Sequence, residues 1–205
     1  MADRHSSHIV LTATLLLLVP LSLGGCATDS KLGNAVDGAL QVVGLRAPKP
    51  EPAPVVPLRL VASATLNTGA DKRPAAAVVK IYHLRSGQRF EQAPFKAFLD
   101  QAGEQAALGA DLLSVNEVVL SPGGDQQLAE QLSDGTSVVG VVALFRQPSG
   151  PRWRMSFDAK QKSLPLEGIT IGVHACAITS DSPGLLSRLP GPPGSLASVS
   201  CGSAR

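Results

Sequence analysis

Short apolar segments separated by turn-forming residues constrain the fold of this chain more than any other feature of its sequence. From residue 57 onwards the segments PLRLVASATLN, AAVVKIYHLRS, SVNEVVL, QQLAEQL, TSVVGVVALFR, RWRMSF and GITIGVHACAI follow one another. Most stretches between them, such as SPGGD, SDGT and QPSGP, are rich in residues that favour tight turns. Many short strands joined by tight turns are typical of a β-sandwich or a β-barrel, so the sequence predicts an all-β domain.

The first two segments predict strands of different burial. In the first, apolar and polar residues alternate, as expected of a half-buried strand, and the apolar face consists of Leu58, Leu60, Ala62, Ala64 and Leu66. The second segment is apolar on both faces. It therefore predicts a central strand or a strand whose second face is covered by another element.

A helical insertion is predicted after the second strand, in the stretch FEQAPFKAFLDQAGEQAALGADLL. Its apolar residues recur at helical spacing and form a stripe of Phe95, Phe98, Leu99, Ala102 and Ala106. Glycines at positions 103 and 109 interrupt the pattern and predict two short helices rather than one. We expect this insertion to cover the second face of the preceding strand.

The beginning of the chain has the layout of an export signal. Arg4 precedes an apolar run from Ile9 to Leu23, which is shorter than the ~20 apolar residues of a membrane-spanning helix. The run ends in Leu-Gly-Gly-Cys, which resembles the lipobox of bacterial lipoproteins. The resemblance implies that Cys26 is acylated after removal of residues 1–25. Because Ala27 rather than Asp follows, it also implies sorting to the outer membrane, facing the periplasm.

An ordinary secretory peptide with an incidental cysteine is the alternative interpretation of this region. The position of Cys26, at the very end of the apolar run, argues against it. The chain contains no second apolar run long enough to cross a bilayer, so anchorage would rest on lipid alone.

The other segments predict the organisation of the mature chain. Residues 26–57 comprise the acylated cysteine, a short helix from Ser30 to Gly44 and a Pro-rich linker, RAPKPEPAPVVP. Residues 58–179 form the β-sandwich domain. Residues 180–205 lose all periodicity and are predicted to be a flexible tail rich in Gly, Pro and Ser.

The sequence contains few of the patterns that mark enzymes or nucleic-acid-binding proteins. The formal charge of +2 is weak and unclustered, and no nucleophile elbow, zinc-protease or P-loop motif occurs. We therefore predict no catalytic residue, cofactor, nucleic acid or small-molecule substrate. His174 and Cys176 share one face of a strand, but two ligands do not make a metal site. Asp125, Glu130 and Asp134, in or near turns, are predicted to be solvated.

Two further features leave alternatives open. Trp153 lies between Arg152 and Arg154. This arrangement suits cation–π stacking or a sugar platform, or else a strand aromatic packed at the sandwich edge and flanked by outward-pointing arginines, and we favour the last. In the oxidising periplasm, Cys176 and Cys201 either form a disulfide or remain two free thiols.

Several segments, in the same order, resemble the TssJ family, the outer-membrane lipoprotein of type VI secretion systems. They are LNTGADKRPAAAVVKIYHLRS, LGADLLSVNEVVLSPGG and VVGVVALFRQPSGPRWR, and they cover most of residues 58–178. The resemblance implies a transthyretin-like antiparallel β-sandwich with a small two-helix insertion. It also implies a non-catalytic role, in which the protein joins the outer membrane to the periplasmic part of the inner-membrane protein TssM, within a TssJ–TssL–TssM complex.

The resemblance further implies that the loop between the first two strands contacts the partner. The corresponding residues of this sequence are Asn67, Thr68, Gly69, Ala70, Asp71, Lys72, Arg73 and Pro74. The alternative function is a periplasmic lipoprotein with a carbohydrate-binding β-sandwich, which would need exposed aromatic side chains, and the chain has one Trp and one Tyr. A hydrolase would need a convergent set of nucleophile, acid and base, which the sequence does not reveal.

Overall fold

Two four-stranded sheets packed face to face form the fold. The computed structural model describes residues 53–201. The strands are β1 (Val55–Ala62), β2 (Ala77–Leu84), β3 (Leu112–Leu120), β4 (Asp125–Gln131), β5 (Val138–Leu144), β6 (Arg154–Asp158), β7 (Ile169–Val173) and β8 (Ile178–Thr179). The short helices are α1 (Gln88–Gln92), α2 (Gln101–Leu108) and α3 (Leu164–Glu167), with 3-10 turns at Phe95–Phe98 and Gly109–Asp111. The predicted transthyretin-like sandwich is confirmed.

The strand order is β4-β1-β7-β8 in one sheet and β3-β2-β5-β6 in the other. One pairing in the described region departs from the antiparallel pattern, because β1 and β7 run parallel, with Leu58 beside Ile169. These strands lie far apart in the sequence, so no tight turn dictates their relative direction.

The core between the sheets is mainly aliphatic. It is lined by alternate residues of the central strands, including Leu58, Leu60, Val79, Ile81, Val139, Val141, Ile169 and Ile171. The alternation predicted for the first strand is correct as far as Ala62, where β1 ends. Ala64 is exposed, and Leu66 reaches the core only after a turn in which its N–H donates to the Ser63 carbonyl (3.1 Å).

The helical insertion covers the second face of β2, as predicted. Tyr82 of β2 packs against Phe90 and Phe98, with ring centroids 5.6 Å apart in each pair, and Phe98 contacts Trp153 at 5.3 Å. Gly140 on the neighbouring strand β5 makes this layer possible, because a Cβ there would lie 2.8 Å from the Phe90 ring. Most aromatic residues of the chain belong to this second, smaller core.

The apolar stripe predicted for the insertion is only partly correct. Phe98 is buried and Phe95 is half-buried, but the remaining members are exposed, namely Leu99, Ala102 and Ala106. The face of α2 that turns inward carries Glu104 and Leu108 instead.

The positions of the helix breaks also differ from the prediction. Gly103 does not interrupt a helix, because it lies in the first turn of α2, where its N–H donates to the Asp100 side chain at 2.7 Å. Asp100 is thus the N-cap of α2. Gly109 ends the helix, as predicted, with a positive φ of 54°.

A buried ion pair explains why α2 turns a carboxylate inward. Glu104 Oε1 accepts hydrogen bonds from Lys80 Nζ and from the Tyr82 hydroxyl, both at 2.6 Å. Lys80 Nζ also lies 3.0 Å from Glu117 Oε1 on β3. Burial opposes the charge of Lys80, but the hydrogen bonds to Glu104 and Glu117 outweigh it and raise the pKa of Lys80 above its ordinary value.

Residues 180–201, predicted to be a flexible tail, lie against the sandwich in the structure. Leu185 forms an isolated β-bridge with Phe157, and the Ser187 hydroxyl donates to Glu91 Oε1 at 2.6 Å. Further along, the buried guanidinium of Arg152 donates to the carbonyl oxygens of Pro190, Pro192 and Pro193, at 2.6, 2.9 and 3.1 Å. A guanidinium offers five donors, which suits a Pro-rich segment that has carbonyl groups but few N–H groups.

A disulfide joins the end of this tail to the sandwich. Cys176 lies in the turn between β7 and β8, and its Cα atom is 5.6 Å from that of Cys201. The bond closes a segment of 25 residues, which restricts the unfolded chain.

Residues 1–52 and 202–205 lie outside the described residues. The predicted signal peptide, Cys26, the helix after Ser30 and most of the Pro-rich linker belong to this part of the chain. The described end of the linker already forms strand β1 from Val55, earlier than residue 58. Across residues 53–201, no helix combines the length and the apolar character needed to span a bilayer.

Candidate partner-binding surface

One end of the sandwich gathers the loop predicted to bind a partner and three other connections between strands. At the end of β1, the Ala62 N–H donates to the Gly124 carbonyl in the β3–β4 turn, and the Ser63 N–H donates to the Val173 carbonyl at the end of β7, both at 2.8 Å. The start of β2 pairs with the end of β5, which brings the β5–β6 loop to the same place. The β1–β2 loop is therefore supported on several sides.

Hydrogen bonds join the two arms of this loop at its base, and we call this part of the loop its neck. The Ala75 N–H donates to the Leu66 carbonyl at 3.0 Å. Asn67 follows with a φ of 49°, in the left-handed region that Asn tolerates better than most residues. Its Nδ2 donates to the Ala76 carbonyl at 2.8 Å, and its Oδ1 accepts from the Arg146 N–H at 2.7 Å. Asn67 thereby ties both arms of the loop to the β5–β6 loop.

The tip of the loop is a turn covered by an arginine. The Lys72 N–H donates to the Gly69 carbonyl at 2.9 Å. The guanidinium of Arg146 lies across Gly69, and its Nη2 binds Asp71 Oδ1 at 2.5 Å. A Cβ at position 69 would overlap this guanidinium, so glycine permits the arrangement. The Arg73 N–H donates to the same Asp71 oxygen at 3.2 Å.

The structure separates the eight predicted loop residues into two groups. Asn67 and Gly69 are buried and Thr68 is half-buried, so these residues shape the loop. The exposed group consists of Ala70, Asp71, Lys72, Arg73 and Pro74. Contact with a partner stays a prediction, and in this conformation it would fall to the exposed group.

Arg146 is a component of this surface that sequence reasoning missed. Its only local signal is that it follows strand β5, at the start of a loop containing Pro and Gly. Together with Lys72 and Arg73, it gives the tip three cations against the one carboxylate of Asp71. A cationic surface of this kind attracts and orients an acidic surface of another protein.

The two residues considered as metal ligands are engaged otherwise. The sulfur of Cys176 is in the disulfide, and His174 Nε2 lies 2.9 Å from Thr179 Oγ1. Burial lowers the pKa of His174, which favours the neutral ring. Among residues 53–201, no group of three or more His, Cys, Asp or Glu side chains is arranged to hold a metal ion.

The aromatic residue considered as a sugar platform is part of the packed interior. Trp153 is 6% exposed and lies edge-on to Phe95, with centroids 5.0 Å apart. The prediction that its neighbouring arginines point outward is wrong. Arg152 is buried among the tail carbonyls, and Arg154 lies 4.6 Å from the Trp153 ring while it donates to carbonyl oxygens in and after α1.

Glu130, predicted to be solvated, is buried instead. Asn116 Nδ2 donates to its Oε2 at 2.8 Å, and His83 Nε2 lies 3.5 Å from the same oxygen. The interaction with His83 lowers the pKa of Glu130, although burial opposes this effect. Asp125 is exposed, as predicted, and forms an ion pair with Arg59 at 2.5 Å.

Comparison with protein families matches residues 54–176, more than half of the chain, to the family described as type VI secretion lipoprotein, which includes VasD, EvfM and TssJ. A search of curated protein sequences gave no match.

Several solved structures are similar to this chain. A chain of a structure titled "Type VI membrane complex" shares 27% identity, with a TM-score of 0.57 over 63% of this chain and 99% of the other. The lipoprotein TssJ1 from Pseudomonas aeruginosa shares 27% identity, with a TM-score of 0.53 over 68% of this chain and 99% of the other. A structure titled as the TssM C-terminal domain from EAEC matches with 27% identity and a TM-score of 0.52, over 66% and 99% of the two chains.

The family match spans β1 to the β7–β8 turn, including the whole β1–β2 loop and Arg146. The tail from residue 180 onwards lies beyond it. The chain therefore belongs to the type VI secretion lipoprotein family that includes TssJ, a family of the type VI secretion membrane complex.

Proposed function

We propose that this protein is held in the outer membrane by lipid on Cys26 and binds the periplasmic part of a TssM-like inner-membrane protein through the tip of its β1–β2 loop. In a complex that also contains a TssL-like protein, it would link the two membranes. The observation that carries the proposal is the cationic tip, in which Lys72 and Arg73 are exposed beside the Asp71–Arg146 ion pair.

Preorganisation makes this tip suited to recognition. The Asn67 neck and the Asp71–Arg146 pair hold the loop before any partner arrives. Less conformational entropy is then lost on binding than with a mobile loop. Restriction of several copies to one membrane would raise their effective concentration and strengthen a weak individual contact.

The burial of the aromatic residues argues against the carbohydrate-binding alternative. The chain contains one Trp, one Tyr and five Phe, all within residues 53–201. Trp153, Tyr82 and four of the five phenylalanines are buried, and Phe95 is half-buried. A sugar platform needs an exposed aromatic face. The proposal assigns the protein no catalytic step.

Charge reversal at the tip tests the proposed contact. We expect Lys72→Glu combined with Arg73→Glu to weaken binding to the periplasmic domain of the TssM-like protein of the same system, measured by calorimetry. The thermal unfolding temperature should not change, because both side chains are exposed. The matched control is Lys160→Glu with Lys162→Glu, which changes the net charge equally in the exposed β6–β7 loop.

Equal affinity of the tip variant and the control would remove the loop assignment. Failure of the unmodified protein to bind the TssM-like domain at all would remove the proposed function.

Lipid anchorage is tested separately with Cys26→Ser. We expect this variant to fold normally and to leave the membrane fraction, because its only proposed attachment is lost. Mass spectrometry that finds Cys26 unmodified in the wild-type protein, or membrane fractionation of the variant, would contradict the anchor.

A further inference from the structure

The C-terminal tail returns to the same end of the sandwich as the partner loop. The Ser149 hydroxyl of the β5–β6 loop donates to the Ser200 carbonyl at 3.0 Å, and the Ser149 N–H donates to the Cys176 carbonyl at 2.9 Å. Ser149 lies three residues after Arg146, so the same loop contacts both the tail and the tip.

An open cavity of about 130 Å³ lies between this tail and the base of the partner loop. Besides the disulfide of Cys176 and Cys201, it is lined by Thr65, His174, Ala175, Ala177, Leu196 and Val199. The Asn67 N–H donates to the His174 carbonyl at 3.1 Å, so the cavity wall and the neck of the loop are directly connected.

The lining of this cavity is mostly apolar. Leu196 is 40% exposed at its edge, and the pKa of His174 is lowered by burial, so its ring stays neutral at physiological pH. A cavity of ~150 Å³ in a protein core accepts a molecule of the size of benzene. This one is therefore large enough for one apolar side chain, and no charged residue lines it.

We propose that the tail and this cavity form a second half of the partner-binding surface, which takes an aliphatic side chain of the TssM-like partner. The inference rests on the proposed function. The tip supplies cations, Lys72, Arg73 and Arg146, and the adjacent cavity supplies an uncharged apolar site. The complementary partner segment carries acidic residues that flank one aliphatic residue.

The hydrogen bonds of Arg152 to the tail and the disulfide hold this second half of the partner-binding surface in place. Arg152 donates to the carbonyl groups of Pro190, Pro192 and Pro193, and the disulfide fixes the tail at Cys201. Between these two anchors, Leu196 and Val199 are held at the cavity edge. These elements lie beyond the matched family region, except for Arg152 and Cys176, so they are features of this chain's own tail.

The test is Leu196→Glu, with binding measured to the periplasmic domain of the TssM-like protein of the same system. A carboxylate at the cavity edge would oppose both the aliphatic side chain and the acidic segment of the partner. We expect binding at least about tenfold weaker, which corresponds to ~1.4 kcal/mol. The matched control is Leu186→Glu, because Leu186 is 49% exposed and also belongs to the tail but does not line the cavity.

A photo-crosslinking residue placed at position 196 or at position 186 provides a second readout that does not depend on affinity. We expect crosslinks to the partner from 196 and none from 186. Wild-type affinity for Leu196→Glu, or equal crosslinking from both positions, would overturn the inference. If those outcomes occur while the Lys72→Glu and Arg73→Glu variant still loses binding, the further inference fails but the proposed function stands.

Discussion

The only tyrosine of the chain allows a sharp test of the layer beneath the helical insertion. Tyr82 is fully buried, and its hydroxyl donates to Glu104 Oε1 at 2.6 Å. Burial, and then the hydrogen bond to Glu104, raise the pKa of Tyr82 far above its ordinary value of 10. Ionisation would place a phenolate in an apolar layer and against a carboxylate, so we expect native Tyr82 to stay protonated as the pH passes 10.

The difference between the native and unfolded pKa of Tyr82 makes the free energy of unfolding depend on pH. In the unfolded chain Tyr82 loses its proton near pH 10, whereas the native state retains it, so the stabilisation is complete below pH 10 and is lost above it. Each pH unit above 10 then lowers the free energy of unfolding by about 1.4 kcal/mol for this one group. Lys80, whose pKa is also raised, adds a loss of the same sign above its ordinary value of 10.5.

Ultraviolet titration measures this directly, because tyrosinate absorbance can come from no other residue. We expect the tyrosinate band to appear together with the loss of native circular dichroism, and not before it. Urea unfolding at pH values on both sides of 10 should show the predicted fall in the free energy of unfolding. Tyr82→Phe keeps the ring packing but removes the ionisable hydroxyl. The free energy of unfolding of this variant should therefore fall less steeply with pH, by about 1.4 kcal/mol per pH unit.

A tyrosinate band with a midpoint near pH 10 in a protein with native circular dichroism would refute this reasoning. It would mean that water reaches the hydroxyl or that Glu104 has moved away from it. The helical insertion would then be packed on β2 less closely than the 2.6 Å contact indicates.

Two further predictions concern packing and the disulfide. Gly140→Ala should lower the free energy of unfolding by roughly 1–3 kcal/mol, because the added methyl group would meet the Phe90 ring, while Gly87→Ala, whose methyl group has ordinary contacts, should have a much smaller effect in the same urea titration. A thiol count on the mature, unfolded, non-reduced protein should find no free thiol from Cys176 and Cys201, and two reactive thiols there would contradict the disulfide.

The strands could be predicted from the sequence because their signals are local. Alternation with a period of two identified β1, and the apolar character of both faces of β2 correctly indicated a covered strand. The turn residues between later segments separated β3 from β4 and β4 from β5. Each of these signals lies within about ten residues of the element that it predicts.

The inward face of α2 could not be predicted in the same way. Glu104 is polar by every local criterion, and it is buried because Lys80 and Tyr82 lie opposite to it in the fold, more than twenty residues earlier. Helical periodicity therefore selected Leu99 and Ala102, which are exposed. Glu130 was misjudged for the same reason, since its partner His83 is still more remote in sequence.

The candidate surface was located by resemblance rather than by local pattern. Loop composition alone does not distinguish Asn67, which closes the neck, from Lys72, which faces solvent. The role of Arg146 depends on a contact with Asp71 across 75 positions, and the order of the tail depends on Arg152 and Cys201 in the same non-local way.

These remote contacts follow a common physical pattern. The sandwich itself is held together by aliphatic burial, whereas the elements added to it are attached largely by buried or partly buried polar groups: the insertion through Glu104 and Arg154, the tail through Arg152, and the loop through Asn67. A buried charge that loses its partner costs several kcal/mol, so such attachments specify one geometry more strictly than apolar contacts do. Substitutions at these groups should therefore displace the loop, tail or insertion before they unfold the sandwich, and the binding surface should be more sensitive to them than the core is.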